Sequence, residues 1–236
     1  MKGSCNLYPT STDHPANDRD GYCERHTSLP SGSLNDVYRS VALHTANPNM
    51  ASPPYQGAIL KMLAAVLKPT VTVEIGSHAG FGASCIATGM GGHGILHLVE
   101  ANDEYEPLIR RHASMAHIED TINLHIGKAV DIIPNLPDNI DFAYIDADKE
   151  NYPLYYQQLV PKMRHGGLLL LDNMLWYGRV VEYDQCNCTG AATESQLRCE
   201  RETRILHSLN DAITTDPRVE NILLPLGDGL MLCRVL

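Results

Sequence analysis

From Val71 onward the chain repeats one unit: a short β-rich run, a turn, then a helical stretch. The runs are Val71–Ile75, Ile95–Glu100, Thr121–Ile126, Ile140–Asp146 and Leu168–Asp172. Helical stretches near 80–90, 103–116, 128–134 and 151–164 separate them. Such alternation predicts an α/β fold with a mostly parallel sheet and helices on both faces. Leu168 to Leu171 is uniformly apolar, as a central parallel strand covered on both sides must be. After a longer helical stretch near 193–215, the runs Val219–Leu224 and Gly229–Val235 are joined only by Pro225 to Asp228. That link is too short for a crossover helix, so the two should pair antiparallel.

Ahead of this region the pattern is helical. Leu34, Val37, Tyr38, Val41 and Ala42 share one face of a helix over Ser33–His44. Ile59, Leu60, Leu63 and Leu67 recur at helical spacing between about Gln56 and Leu67, and Pro48, Pro53 and Pro54 break the chain between the two helices. Residues 1–33 are rich in Ser, Thr, Pro, Asp, Asn and Gly and lack any period. They read as a flexible arm ahead of one domain spanning 34–236.

A chain of 236 residues suits one such core. Lys plus Arg is 18 against 28 Asp plus Glu, a formal charge of -10, which argues against nucleic-acid or anionic-membrane partners. No apolar run approaches the ~20 residues that span a bilayer, and the N-terminus lacks the apolar core of a signal peptide. A cytoplasmic protein is expected. The seven Cys are an odd number, scattered, and read as reduced thiols. Cys186 and Cys188 lack a second Cys or His pair at zinc-like spacing.

Chemistry should gather where strands end, because ligands of open α/β sheets bind at the carboxyl ends. Glu74-Ile75-Gly76-Ser77-His78-Ala79-Gly80 lies there. Its glycines allow a tight turn and close backbone approach. Their spacing differs from the pyrophosphate cradle of dinucleotide enzymes. A nucleoside without phosphate, carrying a sulfonium and an amino acid tail, needs carboxylates, and Glu74 provides one. Glu100 ends the next strand, where a carboxylate can accept ribose hydroxyls. The loop is read as a site for S-adenosylmethionine.

A second cluster follows. Asp146-Ala147-Asp148-Lys149 comes after the fourth strand and Asp172-Asn173 after the fifth. Adjacent strands would bring both to one rim. Asp146, Asp172 and Asn173 then offer oxygen ligands for a hard cation, Mg²⁺ first, with Mn²⁺ or Ca²⁺ as alternatives. Such an ion can hold two neighbouring substrate oxygens. Lys149 is placed to act as the base on a phenolic proton. Trp176 and Tyr177 offer rings for an aromatic substrate, while simple core packing is the competing account of Trp176.

These residues resemble the cation-dependent O-methyltransferases of the caffeoyl-coenzyme A and catechol type. The resemblance runs from about Tyr22 to the C-terminus. It is carried by Val73-Glu74-Ile75-Gly76, Asp146-Ala147-Asp148-Lys149-Glu150-Asn151-Tyr152, Asp172-Asn173-Met174-Leu175-Trp176-Tyr177-Gly178 and Leu224-Pro225-Leu226-Gly227-Asp228-Gly229. It implies a Rossmann-like sheet of seven strands with the last antiparallel, and a homodimer. It implies that Ser52, Glu74, Gly76, Ser77, Gly82, Glu100, Ala129 and Asp148 line the S-adenosylmethionine pocket. It implies Asp146, Asp172 and Asn173 as metal ligands, with Lys149, Asp146 and Asn173 catalytic. The implied activity is transfer of a methyl group to a hydroxyl of a small aromatic substrate. Gly82 stands where the family commonly has a serine, and Tyr177 replaces an asparagine that touches substrate in plant members. Those departures keep open a second reading, a methyltransferase fold redeployed as a cyclase or isomerase, or as a non-catalytic binder of the cofactor.

Overall fold

The computed structural model describes residues 19–185 and 194–236. Among these, the β-rich runs form strands β1 (Val71–Ile75), β2 (Ile95–Glu100), β3 (Ile122–Ile126), β4 (Ile140–Ile145), β5 (Met163–Leu171), β6 (Val219–Leu224) and β7 (Leu230–Val235). They build one seven-stranded sheet in the order β3-β2-β1-β4-β5-β7-β6. The pairs from β3 through β5 are parallel, and β7 runs antiparallel to both β5 and β6. The expected α/β class, and the antiparallel pairing forced by the short 225–228 link, are both found.

Strand alternation sends side chains to two layers. On one face Leu96, Leu98, Phe142, Tyr144 and Leu170 pack under helices α2 (Ser33–His44), α3 (Pro54–Leu67), α4 (Phe81–Met90) and α5 (Glu106–Ala116). On the other, Val73, Ile75, Ala143, Ile145, Leu169 and Leu171 meet α6 (Ala129–Ile132), α7 (Tyr152–Leu159) and α9 (Glu194–Thr215). Two further helices lie outside the sequence expectations, α1 (Arg19–Arg25), within the stretch read as an arm, and α8 (Arg179–Gln185). Residues 1–18 and 186–193, with Cys186 and Cys188, fall outside the described part. Among the described residues no helix is long and apolar enough to cross a membrane, and Cys23, Cys85, Cys199 and Cys233 are free thiols.

Two local differences have physical causes. The expected helix at 103–116 begins instead as a 3-10 turn over Asp103–Tyr105, and the α-helix starts at Glu106. Asn102 caps the turn by accepting from the Glu104 amide at 3.0 Å, and Pro107 sits in the first helical turn, where its missing N–H costs nothing. Strand β5 starts at Met163, where a helix through 164 was expected. Its register with β4 jumps from Ile140↔Met163 to Phe142↔Leu168, so residues 164–167 leave the ladder and the apolar signal starts only at Leu168.

Buried polar groups tie the layers together. The Asp141 carboxylate accepts from the Thr70 and Val71 amides at 2.7 and 2.9 Å and from Arg164. Burial opposes its charge, but these donors outweigh that and hold Asp141 at about 2. His112 on α5 is fully buried and uses both ring nitrogens, one on the Ala79 carbonyl at 2.6 Å and one on Ser40 of α2 at 2.8 Å. It thereby fastens the turn after β1 to a covering helix.

Burial lowers the proton affinity of His112, as it does for the stacked pair His97 and His125. A histidine whose folded pKa is depressed binds its proton more readily in the unfolded chain. Its contribution is therefore complete above its unfolded value and is lost as pH falls below about 6.5. We expect the thermal midpoint to drop between about pH 7.5 and about pH 5.5. The drop should be smaller in His112→Gln, although that variant melts lower overall. An unchanged drop in the variant would remove His112 from this account.

Candidate active site

The carboxyl ends of β1, β4 and β5 line up because their ladders continue one residue past the strands. Asp146 N–H donates to the Ile75 carbonyl at 2.9 Å, and Asp172 N–H to the Ile145 carbonyl at 3.0 Å. Gly76 N–H bonds the Val99 carbonyl at 2.9 Å. The residues after all three strands thus sit side by side on one rim.

Gly76 has φ +86°, and a Cβ there would lie 2.1 Å from the Asp146 backbone oxygen. Only glycine meets both conditions. Beside it Glu74 is 1% exposed and accepts from the Ser77 hydroxyl at 3.3 Å. Burial, with smaller contributions from the Asp146 and Glu100 charges, pushes the Glu74 carboxyl up to about 8, against the pull of the Ser77 bond. A Cβ at position 82 would lie 2.6 Å from Glu74 Oε1. The space a serine would take at Gly82 therefore holds the Glu74 carboxyl.

The Glu100 carboxylate closes the loop. It accepts from the His78 amide at 2.7 Å and the Asn102 amide at 2.9 Å. His78 stands at φ 47°, with its ring edge on Tyr105 at 4.6 Å and a buried Nε2 that has no hydrogen-bond partner. Ala129 is buried at the start of α6. Asp148 is exposed, and its oxygens accept from Tyr155 and Asn151 of the following helical segment, both at 2.5 Å. Ser52 is half-buried, near the Tyr144 hydroxyl.

The second cluster closes over β4 and β5. Lys149 is 6% exposed, and its Nζ donates to Tyr152 at 2.6 Å and to Asp146 Oδ1 at 3.2 Å. The same Nζ lies 5.8 Å from the Trp176 ring. Asp172 is 4% exposed; Oδ1 accepts from the Asn173 amide at 2.8 Å, and Oδ2 from Tyr144 at 2.9 Å and from Gln56. Burial, then the Asp146 charge facing it, raise its pKa. Asn173, Trp176 and Tyr177 all have left-handed backbone. Trp176 packs against the core, its Nε1 buried and unpartnered, while Tyr177 is 57% exposed with its amide bonded to Asp228.

The structure thus gathers Asp146, Lys149, Asp172, Asn173 and Trp176 at one place, next to Glu74. Tyr177 points largely outward. Sequence reasoning missed Gln56, Tyr144, Tyr152 and Tyr155, which hold the named side chains. Tyr144 carried a signal, since it lies two residues before Asp146 on one strand face; Gln56 carried none. Among the described residues no group of three or more His, Cys, Asp or Glu is assembled as an ion site, so the candidate donors remain two carboxylates and one amide. That all-oxygen set is of the kind a hard cation takes, and added positive charge would relieve the cost that burial and the facing Asp146 charge put on ionised Asp172.

A model of the O-methyltransferase family matches residues 25–236. The chain belongs to the O-methyltransferase family. It is 32% identical over 213 residues to tricin synthase 2 of Oryza sativa subsp. japonica, covering 85% of this chain and 69% of that protein. It is 32% identical over 194 residues to caffeoyl-CoA O-methyltransferase 1 of Eucalyptus globulus, covering 78% of this chain and 74% of that one. The fold matches an SAH-bound Podospora anserina methyltransferase with TM-score 0.83 at 21% identity, over 100% of both chains. It also matches the Bacillus cereus O-methyltransferase in complex with SAH, with TM-score 0.77 at 22% identity, over 93% of this chain and 97% of that one. The family and the fold agree: an O-methyltransferase chain on the seven-stranded methyltransferase sheet.

Gly76→Ala should cost about 3 kcal/mol or more, because strain and a backbone collision add. Gly91→Ala, also left-handed at φ 67° but with nothing within 4 Å of the new atom, should cost only about 1 kcal/mol. Denaturant unfolding of both variants measures this, and equal losses would refute the close approach at Gly76.

Proposed function

We propose that this methyltransferase acts on a hydroxyl of a small aromatic substrate, catechol-like or phenolic, with a divalent cation, Mg²⁺ by preference, and with Mn²⁺ or Ca²⁺ as substitutes. The observation that carries the reading is the meeting of Asp146, Lys149, Asp172 and Asn173 at the ends of two adjacent parallel strands. The names of the relatives, which include a flavonoid 3',5'-methyltransferase of Vitis vinifera, support an aromatic acceptor and methyl transfer over the cyclase or isomerase reading.

Asp146, Asp172 and Asn173 would hold the cation, which supplies positive charge that makes a bound hydroxyl more acidic. S-adenosylmethionine supplies the methyl group. Glu74, Gly76, Ser77 and Glu100 hold the cofactor's amino acid and ribose ends, with Ser52, Gly82, Ala129 and Asp148 along its outline. Lys149, in its neutral amine form, receives the proton of the reacting hydroxyl on the Nζ lone pair, while its two N–H groups to Asp146 and Tyr152 fix where that nitrogen stands. Trp176 supplies an apolar wall for the ring. The protein's share of the rate is positioning and charge.

Incubation with S-adenosylmethionine, Mg²⁺ and a panel of catechols should give methylated product and S-adenosylhomocysteine. Chelator should abolish it, and Lys149→Ala should lower turnover by about a hundredfold or more. Methylation that survives both chelator and Asp172→Ala would sink the cation assignment. Turnover of no vicinal diol would sink the substrate class.

A second expectation concerns Glu74. With its carboxyl raised to about 8, the free protein carries it mostly protonated at neutral pH. A cationic cofactor favours the carboxylate, so binding should release a proton and strengthen as pH rises towards that value. Calorimetric titration in two buffers of different ionisation enthalpy reads the release directly. Glu74→Gln should lose it, and buffer-independent heats in the unaltered protein would contradict the role.

A further inference from the structure

The Asp172 carboxylate is held by more donors than its burial needs. Oδ1 accepts from Asn173 N–H, and Oδ2 accepts both the Tyr144 hydroxyl and the Gln56 amide. The donors also bond each other, Gln56 Nε2 to Tyr144 Oη at 2.7 Å.

Tyr144 donates its one hydrogen to Asp172 and accepts from Gln56, while Gln56 divides its two amide hydrogens between Tyr144 and Asp172. The parts of this network come from separate elements. Tyr144 is 1% exposed on β4, Gln56 lies in the first turn of α3, and Asp172 follows β5. A carboxylate gripped on both oxygens cannot rotate. Three of its roughly four lone-pair sites are taken, and the direction of the one left, on Oδ1, is set before any ligand arrives.

We propose that Gln56 and Tyr144 are positioning residues that fix the Asp172 carboxylate for cation binding. The proposal rests on the reading of Asp172 as a cation ligand. Groups of this kind, one bond beyond a ligand, typically set metal affinity by about ten- to a hundredfold. A purely structural role would instead show as lost stability, with cation and cofactor affinity moving together.

The test uses the full chain and Mn²⁺ as the probe, with free Mn²⁺ counted by electron paramagnetic resonance. Gln56→Leu and Tyr144→Phe preserve bulk while removing the donors, and Gln56 is only half-buried, so its variant should fold even if the other does not. Each should weaken Mn²⁺ binding by about tenfold or more, with S-adenosylhomocysteine affinity unchanged. Asp172→Ala should lose the same Mn²⁺ site. Loss in Asp172→Ala with no change in either variant overturns the clamp and leaves the cation reading standing. Equal Mn²⁺ binding by the unaltered protein and Asp172→Ala overturns the cation reading and the clamp with it. Parallel weakening of Mn²⁺ and S-adenosylhomocysteine also overturns the clamp, because it marks general loosening.

Discussion

The site depends on one constraint, the register of β4 between β1 and β5. Ile145 stands opposite Ile75 on one side and Leu171 on the other. A slip of one residue would turn every β4 side chain to the opposite face of the sheet. Phe142 and Tyr144 would then meet the helices that now cover Ala143 and Ile145, and Asp146 would no longer stand beside Gly76 and Asp172. The apolar layers on both faces resist that slip, and the Asp141 carboxylate locks the other end of the strand to β1 through the Thr70 and Val71 amides. Packing at one end of the sheet therefore sets distances between acids at the other.

Those acids are expensive to keep. Glu74 and Asp172 are almost fully buried, and Asp228 is raised chiefly by burial. Isolated buried charges are costly, and paired ones less so. The rim answers with Lys149, with backbone N–H groups on Glu100 and Asp172, and with hydroxyls from Ser77 and Tyr144. What remains is a rim on which carboxyl groups outnumber the one ammonium, that of Lys149. Such a surface favours cationic ligands, a property shared by the two ligands proposed for it.

Much of this was legible from the chain alone, and the reasons are specific. Strand and helix periods separate cleanly between Val71 and Leu171, so layer order followed. The short 225–228 link dictated an antiparallel end. Acids directly after strands announced the rim, because topology fixes where strand ends go. Support contacts were less visible. Gln56 reaches Asp172 across 116 residues of sequence, and a glutamine in the first turn of an amphipathic helix looks like any solvated residue. Tyr152 and Tyr155 read as helix-face aromatics, yet their hydroxyls bond Lys149 and Asp148. The bulge of residues 164–167 hid the start of β5, because polar and glycine residues there lack an apolar period. The Gly82 departure, ambiguous in sequence, has a steric counterpart in the Glu74 carboxyl that fills its space.

Trp176 is the chain's single tryptophan. Its indole packs on the core with Nε1 buried, close to Lys149 and in a loop of left-handed backbone. Ultraviolet light absorbed at the red edge of the protein band is taken up almost entirely by indole, so nearly all of the resulting emission originates beside Lys149. The protein carries its own optical label beside the site proposed for the aromatic ring, so any change in the surroundings of that indole is read directly from its emission.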